Sequence, residues 1–320
     1  MKNIKYSKGL LTLACGVTCA GAISRTLAYL FCYDAGIGYL RKGNAFSIIW
    51  ALVLSLTVLL AAAVAIFGRH RLAINSSRPH ACTVTAKSSA IISMAACLLG
   101  ALYFILKLTG GDTRILVLAG AITCVIAIYH YVTLASCGYA RQTLCLLTGY
   151  VVPIAFALMI ADMYFEMTVT LNNPDKVMFI CSFMLFMVVQ LFELRFIIGR
   201  ALPALYVAFS ILAVTVGAAA SVPFVVAVFC NVYERVIMAP AALMVLALTV
   251  ATLLRMIEFI NGPSTSGKHG EMTKDGVCSN PSEDVEEAPS VRIDHTDEIK
   301  AGTEPHGCEP AEADTSSDEK

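Results

Sequence analysis

Long apolar segments alternate with short polar ones from the amino terminus to about residue 260. A helix of about 20 apolar residues is long enough to cross the hydrocarbon core of a membrane. By this rule the sequence predicts eight transmembrane spans, near 9–31, 45–67, 89–107, 114–136, 143–161, 177–198, 203–230 and 236–258. Residues 1–261 are therefore predicted to form an all-α integral membrane domain, a polytopic bundle of about eight transmembrane helices in contact with the lipid bilayer.

Residues 262–320 have a different character. They include fifteen Asp or Glu residues, five Lys or Arg residues and few aromatic ones. Such a segment buries too little apolar surface to offset the entropy of the chain, so it is predicted to be a disordered acidic tail. A tail of this kind solubilises the protein or docks a cytoplasmic protein partner, and both roles stay open.

Composition supports the same division. Hydrophobic residues make up 58% of the chain and the mean hydropathy is +0.73, whereas soluble domains are about 45–50% apolar. The sequence has neither a phosphate-binding glycine loop nor the common hydrolase and metalloprotease motifs, and its cysteines lack zinc-ligand spacing. It therefore gives no indication of a metal, a cofactor or a nucleic-acid partner, and an intramembrane enzyme is the weakest functional hypothesis.

The flanks of the spans predict how the chain is threaded, because Lys and Arg collect on the cytoplasmic side of membrane proteins. With the amino terminus inside, most of the flanking Lys and Arg residues fall on the inner side, including Lys2, Lys5 and Lys8. Eight spans then place the carboxyl terminus inside as well and the loop 162–176 outside. The first span begins like a signal peptide, but its apolar run continues past the possible cleavage point, which favours a retained helix.

The sixth span, 177–198, carries three polar side chains, Gln190, Glu193 and Arg195. Ionisable groups inside a membrane are costly and are functional candidates by default. Glu193 lies roughly 24 Å along this helix at a rise of about 1.5 Å per residue, within a hydrocarbon core of about 30 Å. Gln190 shares its face, whereas Arg195 projects to the other side and is predicted to reach the inner headgroups.

At that depth the carboxyl group of Glu193 needs a cationic partner or must be neutral. The eighth span places Arg255 at a similar depth, roughly 29 Å from Val236, and we expect the two to pair between helices. The alternative is that Arg255 pairs with Glu258, three residues further on its own helix. The candidate intramembrane polar site therefore consists of Gln190, Glu193 and Arg255.

Two further spans carry polar groups for which we favour a structural role. Arg25 lies in the outer half of the first span, where Asp34, Asp162 or Glu166 could balance its charge. His130 lies in the fourth span, where a lone histidine is more often a hydrogen-bonded structural group than a proton relay. The candidate structural charges are Arg25, Arg195, Glu258 and His130.

Three local patterns predict how helices begin, bend and meet. The segment 172–175, N-N-P-D, is predicted to turn the chain and begin the sixth helix. Pro153, Pro223 and Pro240 each remove a backbone donor within an apolar span and permit a kink. The segment 217–221, G-A-A-A-S, has small residues four positions apart, which allow close helix packing.

Three short segments carry a resemblance: Y-D-A-G-I-G at 33–38, Y-F-E-M-T-V-T-L-N-N-P-D-K at 164–176 and E-L-R at 193–195. Together with the layout of residues 10–260, they resemble a family of multi-pass membrane proteins from anaerobic Gram-positive bacteria. That family has no assigned activity. The resemblance implies a bacterial inner membrane and leaves the chemistry open.

Two hypotheses about function follow from these observations. The first is a transport-like or small-ligand-binding bundle with its site near Gln190, Glu193 and Arg255. The second is a membrane sensor or scaffold that acts through the basic inner loop 68–88 and the acidic tail.

Overall fold

The computed structural model describes residues 2–34, 39–40, 43–68, 84–112, 114–137, 142–166, 173–230 and 239–261. The predicted tail at 262–320 lies outside these residues, as does most of the basic loop 68–88.

Helices dominate the described residues. They are α1 Lys2–Cys32, α2 Ala45–Phe67, α3 Val84–Thr109, α4 Ile115–Cys137, α5 Gln142–Gly149, α6 Val151–Phe165, α7 Pro174–Ile197, α8 Pro203–Phe229 and α9 Ala239–Asn261. Between α1 and α2, β1 (Tyr33–Asp34) and β2 (Tyr39–Leu40) form a two-residue antiparallel pair. Within the described part, 8 segments are long and apolar enough to cross a membrane, with α5 and α6 forming one of them. The predicted fold, a polytopic bundle of about eight transmembrane helices, is confirmed.

The fifth span is divided at Tyr150, where α5 ends and α6 begins. Proline has no backbone N–H, so Pro153 cannot donate to the carbonyl of Gly149. The kink that the sequence permits at Pro153 therefore takes the form of a break one turn earlier. Pro223 does lie inside α8, but Pro240 lies in the first turn of α9 as described, where a helix needs no amide donor.

Helix α8 packs against α1, α2, α7 and α9, and it is the most buried of the candidate membrane spans in the described residues. In its most apolar stretch 72% of residues are buried, against 17% in α2, which leaves most of its surface for lipid. Thr18 and Thr215 share a hydrogen bond of 3.0 Å that ties α1 to α8. The bundle is therefore assembled around a helix built largely of small side chains.

Gly217 is a point of close approach between α8 and its neighbours. A Cβ atom at this position would lie 2.9 Å from the ring of Phe186 on α7 and would also meet the hydroxyl of Thr249 on α9. Gly217 and Ser221 are both buried, as the small-residue pattern at 217–221 requires. The absence of a side chain here lets three helices come together in the middle of the bundle.

Gly217→Ala is expected to lower the melting temperature of the purified protein in detergent, because overpacking of a filled core costs about 1–3 kcal/mol. Gly16→Ala on α1 is the matched control, since nothing lies within 4 Å of its added Cβ and alanine favours helix by about 1 kcal/mol. Equal melting temperatures for the two variants would show that α8 is not closely packed at Gly217.

Candidate functional site

Glu193 on α7 and Arg255 on α9 form an ion pair inside the bundle. The Nη1 group of Arg255 donates to Oε1 of Glu193 at 3.0 Å and to Oε2 at 2.9 Å. This is the interhelical contact that the depth of the two residues predicts. Pairing of Arg255 with Glu258, the alternative, would have directed Nη1 along α9 rather than across to α7.

Three more helices contribute side chains to this pair. The Nη2 group of Arg255 donates to the hydroxyl of Ser93 on α3, and the hydroxyl of Tyr206 on α8 donates to Oε1 of Glu193 at 3.2 Å. The guanidinium carbon of Arg255 lies 5.5 Å from the ring centre of Tyr131 on α4. We call these five residues the Glu193 cluster.

Both members of the ion pair are deeply buried. Glu193 is 2% exposed and Arg255 is 3% exposed. A charge so deeply buried is tolerable only when it is paired and hydrogen-bonded, and removal of one partner leaves the other uncompensated. The Nε atom of Arg255 is buried without a hydrogen-bond partner among the described residues, so the guanidinium has a donor that these residues do not use.

Gln190 joins the cluster through Tyr131, whose hydroxyl donates to Oε1 of Gln190 at 3.2 Å. It lies on the buried face of α7 with Glu193, whereas Arg195 is exposed. The prediction that Gln190 and Glu193 share a face and that Arg195 projects away from it is therefore met. His130, also buried, shares a hydrogen bond of 3.0 Å with the hydroxyl of Thr148 on α5, in line with a structural role.

Among the described residues, Arg25 pairs with an acid that the sequence analysis did not name. Its Nη2 group contacts Oδ1 of Asp175 at 3.1 Å. The side chain of Asn173 accepts a hydrogen bond of 2.9 Å from the amide of Asp175, and Pro174 opens the helix. This predicted start of the sixth helix therefore fixes Asp175 in the first turn of α7, within reach of α1.

Two of the three acids proposed for Arg25, Asp162 and Glu166, belong to another network at the same end of the bundle. Lys107 on α3 contacts both of them, at 2.6 Å each. Asp162, 0% exposed, also accepts hydrogen bonds of 2.9 Å from Tyr103 and 3.1 Å from Arg114. The side chain of Asp34, the third acid, lies outside the described residues.

Sequence reasoning missed this Asp162 network, although one signal pointed to it. Lys107 and Arg114 flank the turn between α3 and α4, on the side of the membrane where the loop 162–176 is also predicted. In the turn itself, hydrogen bonds from Arg114 lower the pKa of Asp112 to about 2. Asp112 therefore stays ionised throughout the physiological range.

Neither network resembles a metal site. The described residues hold no group of three or more His, Cys, Asp or Glu side chains that could bind a metal ion. The charged groups of the Glu193 cluster can each bind a ligand in place of the other. The guanidinium binds carboxylates and phosphates, and the carboxylate binds cations.

Comparison with protein-family models, curated proteins and solved structures found no match for this chain. The family resemblance of segments 33–38, 164–176 and 193–195 therefore stays a prediction.

Glu193→Leu and Arg255→Met, made singly, are each expected to lower stability by about 3–5 kcal/mol, because each strands one buried charge. The double variant is expected to recover most of the loss, since an apolar pair of similar volume leaves no charge behind. Melting temperature and monodisperse yield in detergent measure this effect.

Arg195→Gln is the control for this comparison, because it removes an exposed charge from the same helix. It should melt like the wild type. Strictly additive losses in the Glu193→Leu, Arg255→Met double variant would contradict a direct ion pair.

Asp162→Asn is expected to destabilise the protein by about 1–3 kcal/mol, since it weakens a buried acceptor that serves three donors. Asp112→Asn, which alters the partly exposed acid in the neighbouring turn, should change the melting temperature little. If Asp112→Asn were the more damaging of the two, the Asp162 network would not be the anchor at this end of the bundle.

Proposed function

We propose that this polytopic membrane protein is a transport-like or small-ligand-binding bundle, with its site at Gln190, Glu193 and Arg255. The observation that carries the proposal is the buried Glu193–Arg255 pair, around which five of the described helices meet. Well-packed apolar side chains of similar volume would stabilise the bundle about as much as a buried ion pair, so stability alone does not account for the two charges. Charges kept at such a cost within a membrane span therefore favour a role in binding or transport.

The chemistry of the cluster suggests what kind of ligand would fit. Arginine recognises carboxylate and phosphate groups through paired N–H donors, and a carboxylate recognises an amine or another cation. A small zwitterion such as an amino acid carries both complementary groups. Such a ligand would replace each member of the Glu193–Arg255 pair with one of its own charges, so that neither charge is left unpaired when the pair opens.

Polar networks at both ends of α7 fit a transport cycle. Asp175, paired with Arg25, lies at one end beside the Asp162 network, and Glu193 lies about 27 Å further along the same helix. Both sets of ion pairs are closed in this structure. In a transport cycle each set would open in turn, giving a ligand access from one side of the membrane at a time.

We further propose a bacterial inner membrane as the location, with both termini in the cytoplasm. The excess of Lys and Arg on one set of flanks supports this orientation, and the resemblance described above supports the setting. The alternative function, a sensor or scaffold with a cytoplasmic partner, depends on residues 68–88 and 262–320, most of which lie outside the described part of the chain.

A ligand screen on purified full-length protein tests the proposal. The probes are a panel of amino acids, small carboxylates and small amines, and the readout is the melting temperature in detergent. A ligand at about one hundred times its Kd stabilises the folded state by about 2.7 kcal/mol. We expect at least one compound class to raise the melting temperature of the wild type.

The Glu193→Leu, Arg255→Met double variant decides whether the effect comes from the proposed site. It should fold but should lose the shift, whereas Arg195→Gln should keep it. A shift of equal size in the double variant, or a panel that leaves the wild type unchanged, would contradict a ligand site at Glu193 and Arg255.

A further inference from the structure

A fissure of about 320 Å³ lies between α1, α2 and the start of α7. Arg25 and Ser47 supply its polar groups. Its apolar lining consists of Ala28, Trp50, Val177 and Met178. Val177 is 44% exposed, so the fissure opens on the apolar outer surface of the bundle, which a bilayer would cover. It is separate from the Glu193 cluster, which lies toward the other end of α7.

Arg25 is only 5% exposed, yet the described residues do not use all of its donors. Its guanidinium group has five N–H donors. The hydrogen bonds that it makes to described residues both leave from Nη2, to Asp175 at 3.1 Å and to Tyr29 at 3.5 Å. Its Nε atom has no partner among the described residues. Asp175 therefore occupies one edge of the guanidinium and leaves donors for a second anionic group.

Two further features favour an anion at this end of the fissure. Pro174, the first residue of α7, also lines it, and the N-terminus of a helix carries a partial positive charge. The hydroxyl of Ser47 offers a neutral donor from α2. The guanidinium carbon of Arg25 also lies 5.9 Å from the ring centre of Trp50, so an aromatic side chain lies directly beside the charge.

The order of polar and apolar groups along the fissure matches that of a lipid molecule. Arg25 lies seven residues before the end of α1, about 10 Å from it, and contacts the first turn of α7. Because Asp175 lies in the first turn of α7, the contact is near one end of the bundle, toward the level at which lipid headgroups and interfacial tryptophans lie. Val177 and Met178 follow roughly one turn deeper, where an acyl chain would run.

We propose that this fissure binds one anionic membrane lipid. Its phosphate accepts hydrogen bonds from Arg25 and Ser47, and its acyl chain packs against Trp50, Val177 and Met178. Arginine pairs with phosphate through charge-assisted hydrogen bonds, and Arg25 is the charged side chain among the described residues that line the fissure. The proposal concerns the surface of α1, α2 and α7 and does not depend on the function assigned to Glu193 and Arg255.

The fluorescence of Trp50 gives a direct readout of lipid contact, because Trp50 is the only tryptophan in the sequence. The full-length protein is placed in phosphatidylcholine nanodiscs that contain increasing fractions of brominated phosphatidylglycerol or, separately, brominated phosphatidylcholine. Bromine quenches tryptophan fluorescence on contact. We expect brominated phosphatidylglycerol to reach half-maximal quenching at a several-fold lower fraction than brominated phosphatidylcholine, and unbrominated phosphatidylglycerol to reverse it.

Two variants test which residues create the preference. Arg25→Gln with Asp175→Asn removes both charges together, so neither is left buried alone. Ser47→Leu fills the polar end of the fissure and leaves the Arg25–Asp175 pair in place, which keeps the test valid if the first variant does not fold. Both are expected to lose the preference for the anionic lipid, whereas Arg195→Gln should retain it.

Three results would overturn the proposal. The first is equal quenching of the wild type by the two brominated lipids. The second is a preference that survives in Ser47→Leu. The third is reversal of the quenching by millimolar inorganic phosphate, which would make the fissure a site for a soluble anion rather than for a lipid.

Discussion

A buried arginine can lie in the interior of a membrane bundle only where the protein itself supplies a counter-charge and hydrogen-bond acceptors. Arg255 meets this requirement with Glu193 and Ser93, and its position therefore fixes how α3, α7 and α9 face one another. Lipid is as apolar as leucine, so apolar surface alone does little to order helices within it. Buried charges must pair with a specific partner, so they determine which helices face one another, whereas apolar contacts do not.

The same principle extends to the other end of the bundle. Arg25 and Asp175 join α1 to α7, and Lys107 joins α3 to α6 through Asp162. Between the two charged ends the helices are held by close packing, since Gly217 lets α8 approach Phe186 on α7. Charge pairs thus set the register of the helices near the ends, and small residues set their spacing in the middle.

These two kinds of constraint differ in how well a sequence reveals them. Eight spans follow from apolar length alone, and depth within two spans was enough to pair Glu193 with Arg255. The partner of Arg25 was not predictable in this way, because depth assigns a side of the membrane but does not say which helices are neighbours. Asp162 and Glu166 are at a suitable level, but α6 packs against α4 and α7 rather than α1, so Lys107 and Arg114 take up their charges.

The ionisation state of Glu193 is the most direct test of the central ion pair. Infrared spectra of the purified protein in lipid separate the carboxylate stretch from that of a protonated carboxyl group. If Arg255 holds Glu193 as an anion, then Glu193→Gln removes a carboxylate band and leaves the protonated-carboxyl region unchanged at neutral pH. Loss of a protonated-carboxyl band in that variant would contradict the ion pair and with it the proposed organisation of the bundle around Arg255.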